Sequence, residues 1–405
     1  MEINKSVCVV GLGYIGLPTA ALLANRGFKV HGVDVDKHAV NTINEGKIHI
    51  VEPELDTFVN SAVNSGMLTA NLEPTAADIF LVAVPTPFHH DQLNQVTNSP
   101  VPNLDYVISA TRAIAPHIKP GNLVLLESTS PVGTTQMMAD ELEKAGVDLS
   151  SIHVAHSPER VLPGHIMREL IENDRVVGGI NESSTLAAAE FYRSFVQGEV
   201  LETNAKTAEM AKLTENAFRD VNIAFANELS MLSDEMEIDV YELIKLANHH
   251  PRVNILQPGC GVGGHCISVD PWFIVNSGNG KAKMVEQARR TNDYKSDWVI
   301  EKVKNAALQF ENKQGRPPKV ACMGLAFKPD IDDLRESPAL RITTALNKIL
   351  DVVAVEPNVE KVNGLKLVDE DTAKTADILV YLVAHKQFKT HVAHDLTIDF
   401  AGLFK

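Results

Sequence analysis

The segment that most constrains this chain is Gly11-Leu12-Gly13-Tyr14-Ile15-Gly16. An apolar run at 7–10 precedes it, and apolar residues at helical spacing over 17–23 follow it. That is strand, glycine turn, helix; Gly27 closes the helix, and "KVHGVD" reads as the next strand, ending at Asp34. In this context the spacing fits the fingerprint of a dinucleotide-binding βαβ unit. Gly11 permits the tight turn, Gly13 lets a pyrophosphate approach the helix N-terminus, and Gly16 lets helix and strand pack closely. Tyr14 and Ile15 complete the loop against the cofactor. A carboxylate at Asp34 accepts hydrogen bonds from a ribose diol and repels a 2′-phosphate, which favours NAD over NADP.

The same rhythm continues. "ADIFLVAVPTP", a helix around 106–114, "GNLVLLESTSPVG" and a helix around 134–144 follow, and "IHVAHSPER" and "RVVGGI" add strands. Strands alternating with helices imply a parallel sheet covered on both faces. From about 203 to 235 the pattern is helical without proline or glycine, and "NKQGRPPKV" breaks it as a linker. The α/β rhythm then returns to the end, where "IDFAGLFK" leaves room for a short final helix at most. The expected fold is α/β: two Rossmann-like doubly wound domains joined by a long helical central region. The boundaries read as 1–200 for the NAD domain, 201–312 for the central helical domain and 313–405 for the C-terminal α/β domain. A long helix with a partly apolar face also suits a homodimer interface.

A length of 405 residues suits two or three domains. Apolar content of 44% and charged content of 22% allow full cores. A net charge of −15 argues against broad nucleic-acid binding, and no apolar run is long enough for membrane insertion. The first residues lead straight into a strand without the parts of a signal peptide, and the four cysteines are scattered. Together these point to a cytoplasmic protein with reduced thiols.

Thr86 in "VPTP" and Thr129 in "ESTSPVG" follow apolar strands, at the carboxyl edge where open α/β sheets bind ligands. Both suit cofactor or substrate contacts, and both equally suit turn capping. Lys212, Asn216 and Arg219 share one helical face, a polar stripe suited to an anionic, hydroxyl-rich ligand; apolar neighbours, Phe218 among them, imply a buried helix. "GVGGHCISVDP" places Cys266 among glycines, beside His265 and four residues before Asp270. Nearby His249, His250 and Cys260 match no common zinc spacing, so no metal site is expected. A nucleophilic thiol beside an NAD site suggests oxidation through a thiohemiacetal.

These motifs together resemble the UDP-sugar 6-dehydrogenases of the UDP-glucose/GDP-mannose dehydrogenase family. The markers are "GLGYIGLP", "VPTP", "ESTSPVG", "SPERVLPG", "AEMAKLTENAFRDVNIAFANEL", "GVGGHCISVDP" and "GLAFKPDIDDLRESPA". They span nearly the whole chain, and "LANHHPRVNILQPGCGVGGHC" is most like the N-acetylmannosamine branch. The resemblance implies oxidation of a primary alcohol to a carboxylate with two NAD and one water, here on UDP-N-acetylmannosamine for surface polysaccharide synthesis. It implies Cys266 as nucleophile, Lys212 as acid/base or oxyanion partner beside Asn216, and Asp270 with Thr129 positioning a water. It implies Glu159 in the hydrolytic step. Arg160, Val161, Lys212, Asn216, Arg219, His250, Arg252, Gly263, Phe327 and Lys328 would hold the substrate, and Arg335 would reach the cofactor or the diphosphate.

The alternatives are UDP-N-acetylglucosamine or UDP-glucose as substrate, a two-electron enzyme of the 3-hydroxyacid or 6-phosphogluconate type, and a non-catalytic nucleotide-sugar binder. The two N-acetylated epimers differ at the acetamido centre, worth about 1–3 kcal/mol of discrimination in a forgiving pocket. His250 and Arg252 are the candidates to read it.

Overall fold

The computed structural model describes residues 5–162 and 164–404. The chain divides into two compact units. The first is 1–214 with 276–279, and the second is 215–275 with 280–405.

The first unit begins with β1 (Ser6–Val10), α1 (Gly16–Asn25), β2 (Lys29–Val33), α2 (Lys37–Asn44), α3 (Leu55–Asn64), β3 (Leu68–Asn71) and β4 (Ile79–Val82). A small antiparallel pair, β5 (Phe88–Leu93) and β6 (Pro100–Pro102), interrupts the rhythm. Then come α4 (Asp105–Ile114), β7 (Leu123–Leu126), α5 (Thr134–Lys144), β8 (His153–His156), α6 (Ile166–Glu172), β9 (Arg175–Gly179), α7 (Glu182–Arg193) and β10 (Val200–Asn204). The main sheet has the order β10-β9-β8-β7-β4-β1-β2-β3. β4 and β7 are apolar and buried throughout, as a strand covered on both faces must be.

One expectation needs correction. The sheet is not parallel throughout, because β9 runs antiparallel to β8 and β10 follows β9 in parallel. The 157–174 connection therefore leaves the carboxyl edge of β8 and returns to the same edge. Its helix α6 is seven residues, about 10 Å long, and does not carry the chain across the sheet. The reversal brings the start of β9 beside the "SPER" segment.

Helix α8 (Ala205–Glu235) crosses the boundary between units. The second unit continues with α9 (Val240–Ala247), α10 (Asp270–Ser277) and α11 (Lys283–Gln314). It ends with β11 (Lys319–Met323), α12 (Pro338–Leu346), β12 (Asp351–Val355), α13 (Glu370–Ala373), β13 (Ile378–Tyr381) and β14 (Thr397–Asp399). The second sheet is wholly parallel, in the order β12-β11-β13-β14. Among the described residues no helix follows β14. A polar spine joins α8 to α11: Arg289 pairs with Asp220 at 2.6 Å, Asn292 donates to Asp220 at 2.8 Å, and Asn227 donates to Asn292 at 2.9 Å. All are buried. Helix α8 itself is not buried all round, as its apolar residues had implied: Phe218 is 67% exposed, Phe225 51% and Leu232 43%.

The two sheets repeat one local device. Gly11 follows β1 with φ +91°, and its N–H donates to Val33 at 2.8 Å; Gly324 follows β11 with φ +90°, and its N–H donates to Val355 at 2.8 Å. Both bends lie in the left-handed region that glycine alone adopts cheaply.

Candidate active site

In the first unit the glycine loop is built as the spacing implies. A β-carbon at Gly11 would lie 2.5 Å from the Ala83 carbonyl oxygen, and one at Gly16 would collide with the Gly11 carbonyl. Gly13 differs, because a β-carbon there would meet no protein atom within 4 Å. Its glycine answers to something other than the packing of the fold, and the open space at the start of α1 fits a dinucleotide pyrophosphate. Asp34 accepts from the Leu12 N–H and the Asp36 N–H, both at 2.9 Å, which fixes its carboxylate while leaving it partly exposed.

At the carboxyl edge the Thr86 hydroxyl donates to the Thr129 carbonyl at 2.6 Å, and the Ser128 hydroxyl donates to the Val84 carbonyl at 2.7 Å. The "VPTP" and "STSPVG" loops are thereby tied together, and Thr86 has a structural bond as well as its proposed ligand role. Glu209, near the start of α8, accepts from Gly133 N–H and from the Thr135 N–H and hydroxyl at 2.6–2.7 Å. It caps α5 in place of the missing side chain of Gly133. Burial pushes its carboxyl up.

Glu159 is buried with both oxygens engaged: Arg175 at 2.6 Å and the Arg160 N–H at 2.7 Å. Behind it lies Glu127, which accepts from the Tyr192 hydroxyl at 2.7 Å. Burial pushes the Glu127 carboxyl up to about 7, against the pull of Arg175. The Arg175 guanidinium bonds Glu159, and only its field reaches Glu127, where burial dominates. Val161 packs its side chain against the core. Lys212 is partly exposed on α8, one turn before Asn216.

In the second unit Asn216 is buried and donates to Asp270 at 2.5 Å. Asp270 opens α10, and its N–H bonds to the Cys266 carbonyl at 2.8 Å. The stripe on α8 is thus graded, with Asn216 inside and Arg219 exposed. Cys266 is partly exposed, whereas Cys8, Cys260 and Cys322 are buried. Burial raises the Cys8 thiol to about 11 and those of Cys260 and Cys322 to about 12.

The loop before Cys266 is held from three sides. Gly259 N–H bonds to Asn227 at 2.9 Å, the Cys260 carbonyl accepts from Ser296 at 2.9 Å, and the Cys260 thiol reaches the Leu382 carbonyl at 3.5 Å. Further on, Gly264 N–H bonds to the Arg335 carbonyl at 3.1 Å. A β-carbon at Gly263 would lie 2.7 Å from Phe327 Cβ, and one at Gly264 would lie 2.9 Å from Phe327 Cε2. The glycines seat the cysteine loop on Phe327. Lys328 and Arg335 are exposed on the same 324–336 segment, and Arg335 pairs with Asp333. His250 and Arg252 are exposed beyond α9, with Arg252 N–H donating to His250 at 3.3 Å.

The sequence reading did not include Glu127, Arg175, Tyr192, Glu209, Glu356 or His385. Glu127 lies inside "ESTSPVG" and Glu209 inside "AEMAKLTENAFRDVNIAFANEL", but spacing alone gives none of the six a role, since each acts through a partner distant in the chain.

A glycine-turn dinucleotide fold in one unit, and a thiol loop seated on a second α/β sheet in the other, define an NAD-binding dehydrogenase. Sequence profiles of the UDP-glucose/GDP-mannose dehydrogenase family match at 5–196 (NAD binding domain), 206–294 (central domain) and 321–405 (UDP binding domain), and the chain belongs to that family. It is 53% identical to a UDP-N-acetyl-D-mannosamine dehydrogenase of Campylobacter jejuni, over 98% of this chain and 99% of that protein. It is 52% identical to an NDP-N-acetyl-D-galactosaminuronic acid dehydrogenase of Ralstonia nicotianae, over 95% and 92%. A UDP-D-ManNAc dehydrogenase structure from Pyrococcus horikoshii superposes with a TM-score of 0.88 at 36% identity, covering 99% of this chain and 96% of that one. No helix of the described residues is long and apolar enough to cross a membrane.

Proposed function

We propose that the protein oxidises the primary alcohol of UDP-N-acetyl-D-mannosamine to the carboxylate, using two NAD and one water per sugar and supplying the uronate for surface polysaccharide synthesis. The observation that carries this reading is the Cys266 loop: a partly exposed thiol, one turn before an Asp270 that Asn216 holds in place. The names of relatives near 53% identity favour the mannosamine sugar. The galactosaminuronate enzymes at 52% make the epimer the point to test. A UDP-binding domain gives a reason for the second sheet that a 3-hydroxyacid-type enzyme lacks.

Gly11, Gly13, Gly16 and Asp34 would hold two NAD molecules in succession, and each NAD would supply the acceptor for one hydride. Lys212 takes the alcohol proton as the first hydride leaves. The Cys266 thiolate adds to the aldehyde carbon, forming a C–S bond and trapping a reactive intermediate. Loss of the second hydride leaves a thioester on Cys266. Asp270 and Thr129 orient the water that adds to it, and the C–S bond breaks to return the thiol. Lys212 and the Asn216 amide stabilise the oxyanions. Glu159, with both oxygens engaged, serves hydrolysis by fixing the segment that carries Arg160 and Val161. Arg219, His250, Arg252, Gly263, Phe327 and Lys328 hold the nucleotide sugar, and Arg335 reaches cofactor or diphosphate. The division 1–200, 201–312 and 313–405 assigns cofactor, thiol and UDP to successive segments. The exposed stripe of Phe218, Phe225 and Leu232 repeats every seven residues along α8 and suits pairing with a second copy. The compartment is the cytoplasm, where NAD and UDP-sugars are at hand.

The test is to count NADH released per limiting sugar with UDP-N-acetylmannosamine, UDP-N-acetylglucosamine and UDP-glucose. Two NADH from the mannosamine sugar, and none after Cys266→Ala, is the expected result. Two from another sugar alone would replace the substrate, and one per sugar would remove the thioester route.

A further inference from the structure

We propose that His385 is a positioning residue for the reaction: it clamps the 324–330 loop to Glu356 and, through Phe327, sets the placement of the Cys266 loop. The inference rests on the reading of Cys266 given above.

Glu356 follows β12, as Asp34 follows β2. The Asp34 carboxylate accepts the Leu12 N–H, and Glu356 accepts the matching Leu325 N–H at 2.7 Å and the Ala326 N–H at 2.9 Å. The two acids differ in what stands behind them. His385, fully buried, faces Glu356 at 3.1 Å through Nε2. Its Nδ1 accepts from the Asp330 N–H at 3.0 Å. A ring nitrogen that accepts a backbone N–H carries no proton, so Nε2 carries it and donates to Glu356. One imidazole thus ties the end of β12 to the far end of the loop. The Lys386 N–H adds a second tie, donating to the Asp330 carboxylate at 2.9 Å.

Burial pushes the Glu356 carboxyl up, but the His385 bond and the backbone N–H groups of Leu325, Ala326 and Asn358 hold it down to about 2. The third of these N–H groups, that of Asn358, donates at 3.1 Å. Beside its bond to Glu356, the histidine holds Asp330, so that both ends of the segment carrying Phe327 and Lys328 are fixed. Phe327 is the residue against which Gly263 and Gly264 close, three and two positions before Cys266. The path from His385 to the thiol loop is continuous within the second unit: His385, Asp330 N–H, the 324–330 loop, Phe327, Gly264.

The experiment uses the full-length protein with His385→Phe, His385→Asn and His385→Gln. Phenylalanine keeps the packing and removes both bonds. Asparagine places an acceptor near the Nδ1 position, and glutamine a donor near the Nε2 position. Three quantities are read beside the melting temperature: the KM and kcat for the nucleotide sugar, and the rate at which iodoacetamide alkylates Cys266 without any ligand, followed on its peptide by mass spectrometry. His385→Phe is expected to raise KM about 10-fold with a smaller change in kcat, and to change the Cys266 alkylation rate by roughly threefold or more. His385→Asn should recover more of both than His385→Gln. Unchanged KM and alkylation in His385→Phe, at any melting temperature, would overturn the proposal. Should that variant fail to fold, equal wild-type behaviour of the other two would do the same. The alkylation arm needs no turnover, so an error in the assigned sugar leaves it readable.

Discussion

At the scale of single residues, the glycine loop separates what the fold needs from what a ligand needs. Gly16→Ala forces a β-carbon into the Gly11 carbonyl and should abolish soluble expression. Gly13→Ala meets nothing within the protein, so its melting temperature should stay near wild type. The KM for NAD should nonetheless rise about 10-fold or more, because the new methyl occupies the pyrophosphate approach. Steady-state kinetics beside thermal melts checks both, and a Gly13→Ala protein with wild-type KM would remove the assigned cofactor pose. Such glycines were legible in the sequence because a backbone constraint leaves its mark at the position itself. His385 was not legible, since its meaning lies in a carboxylate 29 positions away. Glu209 was missed for the same reason, with its partners 74 and 76 positions back.

At the scale of elements, α8 was readable as a helix from its unbroken pattern, but its exposed side was not. Phe218 and Phe225 look like core residues in a list of amino acids. The side of α8 that is buried against α11 is held by polar groups. Arg289→Met would leave Asp220 buried without its guanidinium, a change that costs about 3–5 kcal/mol. Urea unfolding of the second unit, followed by hydrogen exchange in α8 and α11, should register a loss of that order. A loss under about 1 kcal/mol would mean that Asn292 alone satisfies the carboxylate. The antiparallel turn of β9 was equally hidden, because a strand's direction is set by where its connection returns. If the α8 stripe pairs two copies, Phe225→Glu should shift the sedimenting species toward monomer while NAD binding persists.

At the scale of the whole molecule, the two units answer to pH in separate windows. Burial raises Glu127 in the first unit to about 7, so the folded form holds a proton that the unfolded chain releases near 4.5. That contribution is complete at low pH and is lost as pH rises from about 4.5 to about 7. Burial lowers Lys295 in the second unit to about 7, although the ring of Trp298 lies 3.7 Å away. Between about 7 and 10.5 the unfolded chain binds the extra proton, so the second unit gains stability as pH rises. Buried His156, lowered to about 3, opposes the Glu127 trend below about 6.5, so the Glu127 part should appear as the difference in hydrogen exchange between wild type and Glu127→Gln, and the Lys295 part as that between wild type and Lys295→Met. The matched bends at Gly11 and Gly324 carry a further consequence for anyone counting cofactor sites by motif. One chain spells the same turn twice, with an acid after the second strand each time. The first acid is open to a ribose and the second is spent on its own protein, and what tells them apart is a histidine far outside the motif.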